Sequence, residues 1–260
     1  MPELPDVEVF RNYLDSTSLN QSIQSVQLKS LKILKEISSQ ELEKELPGRK
    51  ILGSHRHGKH LFLRMDDARW LMLHFGMTGF LKYFERMEED PKHDRMLINF
   101  ENGFHLAYVC QRLLGEVNLV EDKDKLIQER EMGRDALEMD YNTFKKIIQE
   151  KRGSIKSALM NQKYISGIGN IYSDEILFQA GVHPKKEAKQ LGEAKIKKIY
   201  QEMRTVLTKA IEYHVDPAQF PDSYMLPHRD TDLRCPRCHN SFQQIKITGR
   251  TAYVCPHCQE

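Results

Sequence analysis

The four cysteines near the end of the chain constrain its fold more than any other sequence feature. Cys235 and Cys238 form one close pair, and sixteen residues separate it from a second pair, Cys255 and Cys258. Two such pairs are typical of the two knuckles of a β-ribbon that holds one tetrahedral Zn²⁺. A module of this size cannot fold on apolar burial alone, so we expect the metal to supply the missing stability.

Length and composition leave room for two larger domains before this ribbon. The chain has 260 residues, and its 39 Lys and Arg against 37 Asp and Glu give a net charge of only +2. Bulk charge therefore gives no sign of nucleic-acid binding, which would need local clustering of basic residues. Four of the five cysteines lie in the two pairs, which indicates metal binding in a reducing compartment. Because the sequence has no signal-peptide pattern and no run of eighteen apolar residues, we expect a soluble intracellular protein.

The first part of the chain has the pattern of a helix followed by a β domain. Pro5 suits the first turn of a helix, and three apolar residues follow it at helical spacing: Val7, Phe10 and Leu14. Residues from about 22 to 120 then form short apolar or alternating runs, two of which flank Asn102-Gly103. Since Asn-Gly between such runs is a strong hairpin signal, we predict a mainly antiparallel sandwich or barrel.

A second, helical domain follows a charged stretch at residues 121–134. Its apolar residues recur at helical spacing, first from Tyr141 to Ile148 and then from Ile196 to Ile211. This pattern runs to about Ser223, after which a proline-containing linker leads into the cysteine module. The sequence thus predicts three parts, with boundaries after residues 132 and 226.

The start of the chain carries groups suited to covalent chemistry. A small residue such as Pro2 favours removal of Met1, and the free proline amine could then attack a sugar carbon to give an iminium. Glu3 beside it could move protons during such a reaction. The alternative is that the segment from Pro2 to Pro5 is only a rigid lead-in to the helix, which is the favoured interpretation for an N-terminal proline taken alone.

Four segments together resemble the formamidopyrimidine-DNA glycosylase and endonuclease VIII family, and more closely its formamidopyrimidine-DNA glycosylase members. They are Pro2–Pro5, His74–Gly79, Gly167–Tyr172 with Gly181 and Pro184 after it, and the four-cysteine ribbon. The resemblance covers essentially the whole chain in the family's order. It implies an α+β multidomain protein with an N-terminal catalytic β-sandwich at 1–132, a helix-two-turns-helix domain at 133–226 and a zinc ribbon (zinc finger) at 227–260. It also implies that DNA is held in the cleft between the domains.

The resemblance assigns catalytic roles residue by residue. Pro2 is the implied nucleophile and Glu3 the implied proton carrier. Lys59 matches the family lysine that reaches the lesion's phosphate and assists β-elimination, and Arg250 matches the arginine assigned to δ-elimination. Asp6 stands where the family more often has glutamate, so it is either catalytic or a first-turn acid favoured by the helix dipole.

Two further segments match the family's base-extrusion residues. Met77 lies where the family inserts a side chain into the gap left by an extruded base. Arg112 matches the arginine that pairs with the orphaned base, whereas Leu114 replaces the usual aromatic wedge and Cys110 the usual aspartate. We interpret Cys110 as a small packed residue. These departures make the opposite-base preference an open question.

Phosphate contacts are predicted for the turn at Gly167–Asn170 and the helix after it, which includes Tyr172. Backbone N–H groups and the Asn170 amide at a helix start form a cradle for phosphate. Lys151, Lys156 and His93 are expected to add positive charge there. The alternative for each of these three is an ordinary surface charge.

We therefore expect a bifunctional DNA glycosylase and abasic-site lyase that acts on damaged double-stranded DNA and contains one structural Zn²⁺. The segment from Tyr224 to Asp230 is shorter than the family's lesion-capping loop, so oxidised purines or formamidopyrimidines are only slightly favoured over oxidised pyrimidines. We expect a monomer without membrane contact in the cytoplasm of a bacterial or archaeal cell, associated with the nucleoid. The alternatives are a non-catalytic or abasic-site-specific DNA-binding paralogue, an endonuclease VIII type of enzyme, and an RNA-associated zinc-ribbon protein.

Overall fold

A computed structural model describes residues 1–229 and 234–260 and divides the chain into two compact units. The first unit contains residues 1–2 and 6–130, and the second contains residues 3–5 and 131–260. The boundaries predicted after residues 132 and 226 remain predictions. Asp230, the last residue of the segment that was predicted to be shortened, lies outside the described residues.

The first unit is a sandwich of two four-stranded antiparallel sheets, as predicted. One sheet has the order β1-β6-β7-β5 and the other the order β2-β3-β4-β8. The strands are β1 Ile23–Leu28, β2 Ile51–His57, β3 His60–Met65, β4 Trp70–His74, β5 Phe80–Phe84, β6 Asp94–Phe100, β7 His105–Val109 and β8 Glu116–Val120. Three helices accompany them: α1 Leu4–Thr17, α2 Ser39–Glu45 and α3 Lys123–Glu129.

Alternation along the strands explains the core of this sandwich. In β3, Leu61 and Leu63 point into the main core, together with Val7 and Leu14 of α1. Phe62, between them in sequence, points to the opposite face and packs with Leu126 of α3 and other residues. Side chains alternate between the two faces of a strand, so β3 contributes both to the main core and to the cluster with α3. The Asn102-Gly103 hairpin is also confirmed, since it joins β6 to β7.

Two helices of this unit were not predicted from the sequence. Ser38 caps α2 by accepting a hydrogen bond from the Glu41 N–H, and Asp122 caps α3 in the same way. Both helices have seven residues, and each buries one leucine. Segments this short carry too little apolar periodicity to be recognised, so their caps were the only available signal.

The second unit is helical and ends in the cysteine ribbon. Its helices are α4 Tyr141–Glu150, α5 Ile155–Leu159, α6 Asn170–Ala180 and α7 Glu193–Glu212. Its strands are β9 Arg134–Asp135 and β10 Ile165–Ser166, which pair in parallel, and β11 Gln243–Ile247 and β12 Arg250–Val254, which form the ribbon hairpin. The apolar residues predicted to face inward from α7, such as Ile199 and Met203, are wholly buried. Within the described ranges no helix is both long and apolar enough to cross a membrane.

Candidate active site

The buried carboxylate of Glu3 lies at the N-terminus of α6. Gly169 is the N-cap of that helix. The carboxylate accepts hydrogen bonds from the backbone N–H groups of Gly169 at 2.7 Å, Ile171 at 2.8 Å and Tyr172 at 3.3 Å. The first N–H groups of a helix have no intrahelical partner and carry partial positive charge, so a carboxylate is favoured there. For these three groups the predicted phosphate cradle is wrong, because the protein's own carboxylate fills it.

The turn before α6 also fixes the residue after Glu3. The Leu4 N–H donates to the Gly167 carbonyl at 3.0 Å. Gly167 has a φ of +110°, and a Cβ there would lie 2.6 Å from a Leu4 side-chain carbon. Only glycine can adopt this conformation at such close range. Residues 3 and 4 are therefore held rigidly on α6, and Pro2, which is buried, directly precedes them.

We predict that Gly169→Ala disables the site. A Cβ at Gly169 would lie 2.4 Å from both Cδ and Oε1 of Glu3, so the carboxylate must leave the helix N-terminus. We expect a loss of stability of about 1–3 kcal/mol and at least a roughly 100-fold fall in base-excision rate. Single-turnover cleavage and thermal unfolding would measure the two effects.

Gly192→Ala is the matched control for that substitution. Gly192 is also a helix N-cap, and a Cβ there would meet nothing within 4 Å. This variant should keep the rate of the unmodified protein. Equal losses in both variants would show that the effect is general to helix caps and not specific to Glu3.

The ribbon hairpin is attached to the same helix at the residue after Arg250. Arg250 is exposed and is the first residue of β12, directly after the turn at Thr248-Gly249. Its Nη1 lies 3.6 Å from the Met160 sulfur. The next residue is tied to α6, since the Asn170 side-chain amide donates to the Thr251 carbonyl at 2.9 Å.

The predicted surface role of Lys156 does not fit its position. Lys156 is fully buried, and its ammonium donates to the Asn170 carbonyl at 3.2 Å and pairs with Asp174. Burial lowers the pKa of Lys156 and raises that of Asp174, while the attraction between the two opposes both shifts. Neither the predicted contribution of Lys156 to phosphate binding nor the alternative of an ordinary surface charge fits this position, because Lys156 is fully buried and its charge is matched inside the protein.

Two other residues predicted to bind DNA in this unit differ in exposure. Tyr172 is only 5% exposed and packs in the helical core. Lys151 is half-buried, with its ammonium 3.4 Å from the centre of the Tyr164 ring, where cation–π attraction holds it. Lys151 thus retains access to solvent, whereas Tyr172 contributes its backbone N–H to the Glu3 site.

Two loops of the β-sandwich that touch each other each carry an exposed apolar side chain. Met77 is 38% exposed and Leu114 is 53% exposed. The loops touch through their backbones, because a Cβ on Gly76, where φ is +59°, would lie 2.6 Å from the Leu114 carbonyl carbon. Arg112 and His93, which were also predicted to contact DNA, are exposed as well.

Arg56 positions the turn that carries Lys59. Arg56 was not among the site residues predicted from the sequence. Lys59 follows Gly58 in the two-residue turn between β2 and β3 and is 8% exposed. Arg56 donates to the Gly58 carbonyl at 3.3 Å and to the Glu8 carboxylate at 2.7 Å. Burial would raise the pKa of Glu8, but hydrogen bonds from Arg11 and Arg56 outweigh it and lower that pKa. The only sequence signal was the basic run around Lys59.

Asp6 and Cys110 are the remaining residues of the first unit that the sequence analysis singled out. Asp6 lies in the first turn of α1 and is half-buried, a position that suits either of its predicted roles. Cys110 is fully buried, and its sulfur accepts the Gly115 N–H at 3.3 Å. This burial agrees with the interpretation of Cys110 as a small packed residue.

The four ribbon cysteines form the predicted metal site. All four sulfurs lie within 4.8 Å of one another, with Cys235 and Cys258 at 3.7 Å and Cys238 and Cys255 at 3.4 Å. Tetrahedral coordination with zinc–sulfur bonds of about 2.3 Å requires sulfur separations of about 3.8 Å. Four thiolates at this spacing fit one structural Zn²⁺.

Known families match successive parts of the chain. The formamidopyrimidine-DNA glycosylase N-terminal domain matches residues 1–117, the H2TH domain of the same enzymes matches residues 132–221, and the zinc finger found in FPG and IleRS matches residues 232–260.

Whole-length relatives give the same result. The formamidopyrimidine-DNA glycosylase of Solibacter usitatus is 31% identical over 270 residues, covering 100% of both chains. That of Mycoplasma genitalium is 32% identical and covers 100% of this chain and 96% of its own. Among solved structures, the Lactococcus lactis Fpg bound to DNA containing an abasic site has a TM-score of 0.89 at 29% identity, covering 99% of each chain. MutM in complex with DNA containing carbocyclic 8-oxo-G has a TM-score of 0.90 at 29% identity over 100% of each chain. This chain therefore belongs to the formamidopyrimidine-DNA glycosylase family.

Proposed function

We propose that this chain is a base excision repair enzyme that removes oxidised or ring-opened bases from double-stranded DNA and then cleaves the resulting abasic site. The observation that supports this most strongly is the buried Glu3 carboxylate, which three backbone N–H groups hold directly after Pro2. A carboxylate used only for capping could come from any residue near a helix start. This one comes from the residue that follows the proposed nucleophile.

The reaction begins at the Pro2 nitrogen. The neutral amine attacks C1′ of the damaged nucleotide, a C–N bond forms, and the glycosidic bond to the base breaks. Glu3 moves protons between the departing base and the sugar oxygen as the ring opens to an iminium. Because three N–H groups fix its carboxylate, Glu3 needs no reorganisation during the reaction.

Strand cleavage then follows by two eliminations. Loss of a proton from C2′ expels the 3′-phosphate, and loss of a proton from C4′ expels the 5′-phosphate. In this proposal Lys59 assists the first step and Arg250 the second, each by offsetting negative charge on the departing phosphate. Both are cations beside turns, Lys59 in the β2–β3 turn and Arg250 after the β11–β12 turn.

DNA binding rests on the exposed loop residues in this proposal. Met77 and Leu114 enter the gap left by the extruded base, and Arg112 contacts the orphaned base on the other strand. Lys151, Asn170 and His93 contact phosphates. We further propose a monomer in the bacterial cytoplasm, where the DNA of the nucleoid is the substrate.

The preferred lesion follows from two departures from the family pattern. The segment from residue 224 is short, and Leu114 is aliphatic, so we propose that the extruded base is less completely enclosed. Selectivity depends on contacts to that base, so loss of a cap should relax discrimination more than it slows elimination. The Lactococcus lactis relative has been solved with FAPY-dG DNA and with abasic DNA. Both of these lesions come first in our proposed order.

We predict that abasic DNA and ring-opened purines are cleaved faster than 8-oxoguanine opposite cytosine. Single-turnover rates on four duplexes, carrying an abasic site, formamidopyrimidine, 8-oxoguanine or thymine glycol, would measure this order. The capping argument would be contradicted if 8-oxoguanine opposite cytosine were cleaved fastest and 8-oxoguanine opposite adenine were not cleaved. Salt-dependent binding without cleavage of any duplex would instead favour a DNA-binding paralogue.

A further inference from the structure

Strand β12 is fastened to one side of α6 by two hydrogen bonds. The Asn170 amide donates to the Thr251 carbonyl at 2.9 Å, and one turn later the Asp174 carboxylate accepts the Tyr253 N–H at 3.3 Å. The same helix holds Glu3 at its N-terminus. One rigid helix thus carries both the carboxylate and the strand that begins with Arg250.

Arg229 adds a third attachment at this point. Its guanidinium pairs at 2.9 Å with Oδ2 of Asp174, the same oxygen that accepts the Tyr253 N–H, and lies 4.5 Å from the centre of the Tyr253 ring. The Arg229 side chain is 10% exposed, and that of Asp174 is fully buried. Arg229 therefore clamps the strand, with α6 on one side of the contact and the aromatic ring of β12 on the other.

The charges show why Arg229 is needed here. Asp174 also pairs with the buried Lys156, which feels the negative charge of Glu3 as well. Without Arg229, Lys156 would be the one cation among the described residues that pairs with the Asp174 carboxylate. A buried charge pair that loses a partner is strongly destabilised. The Asp174 contact with β12 would weaken first, because Lys156 is also held by the Asn170 carbonyl.

We propose that Arg229 is a positioning residue for Arg250: by clamping Tyr253 against Asp174 it fixes β12 so that the first residue of that strand reaches the departing 5′-phosphate. This inference rests on the proposed function, and specifically on the δ-elimination step. It gives a role to the short segment before the ribbon, which in this chain supplies a clamp.

The test measures how the products divide between the two eliminations. Because β-elimination does not need Arg250 in our scheme, Arg229→Ala should leave borohydride trapping and β-elimination within about twofold, while the δ-product fraction falls about tenfold or more, as expected for a misplaced group. Arg229→Lys keeps the ion pair but not the planar stacking, so its δ-product fraction should lie between those of Arg229→Ala and the unmodified protein. Tyr253→Leu removes the ring and should resemble Arg229→Ala.

Arg237→Ala is the matched control. Arg237 also ties the ribbon to α6, through the Phe178 carbonyl at 3.2 Å and the Phe178 ring at 4.3 Å, but at the far end of the helix and from the first cysteine knuckle. This variant should leave the product ratio unchanged. Zinc content, measured on every variant, should stay at one per chain.

Several outcomes would overturn the inference. The inference would be overturned by an unchanged product ratio in both Arg229→Ala and Tyr253→Leu. It would also be overturned if the δ-product fraction fell equally in Arg237→Ala. If Arg229→Ala fails to fold, Arg229→Lys and Tyr253→Leu still decide the matter. Failure of the proposed function has a different signature: the unmodified protein would give no trapped complex and neither product.

Discussion

A protein that retains Met1 should form no borohydride-trapped complex with DNA containing an abasic site. In that form the Pro2 nitrogen is an amide, whose lone pair is delocalised into the carbonyl group and cannot attack C1′. The processed protein should trap efficiently. Intact-mass measurement of the trapped species should give the mass of a chain without Met1 plus the DNA adduct.

Two variants separate the Pro2 amine from other amines of the protein. Processed Pro2→Gly keeps a free, less constrained amine and should trap slowly, whereas the same variant after N-acetylation should not trap at all. Lys59→Ala should still trap, because in our scheme Lys59 acts after the iminium has formed. Trapping by the acetylated variant, or by protein that retains Met1, would assign the nucleophile to an amine other than that of Pro2.

The parts of the fold that depend on local pattern could be predicted from the sequence. The short apolar or alternating runs between about residues 22 and 120 indicated strands, and the eight strands of the sandwich lie there. The helical spacing in α7 gave its buried face, including Ile199 and Met203. Both predictions rest on short-range periodicity, which survives folding because each element buries one stripe or one face.

The anionic group that binds the N-terminus of α6 could not be predicted in this way. The glycine-rich turn correctly indicated a helix start with free N–H groups. What fills it is Glu3, which is 166 residues away from Gly169 in sequence. A long-range contact of this kind has no periodic signature, and the phosphate assignment was the wrong choice between two anions that fit the same site.

Buried charges escaped prediction for a related reason. Lys156, Asp174 and Glu175 are charged residue types that usually lie at the surface, yet all three are buried. Glu175 accepts the backbone N–H groups of Met225 and Leu226, and burial raises its pKa to about 7 against the effect of these hydrogen bonds. Charged residues are seldom fully buried unless they are paired. Their partners lie in other elements, so only the tertiary structure reveals them.

Removal of the metal should abolish δ-elimination while the helical domain stays folded. Four thiolates form the centre of the ribbon, and zinc binding contributes on the order of 10 kcal/mol to a module of this kind. Without it, β11 and β12 lose their pairing, and Arg250 loses its place beside α6. Chelation followed by a cleavage assay, with circular dichroism to follow the helices, would measure both parts of this prediction.

Cysteine substitutions give the same test without a chelator. Cys255→Ser removes a buried ligand and should reduce both zinc content and δ-elimination to near background. Cys110→Ser is the control, since Cys110 is equally buried but belongs to the β-sandwich core, and it should keep one zinc per chain. Because the ribbon contributes Arg250 but neither Pro2 nor Glu3, borohydride trapping should survive in Cys255→Ser better than δ-elimination does. Full δ-elimination by a zinc-free protein would mean that the ribbon folds without metal, contrary to what four clustered thiolates require.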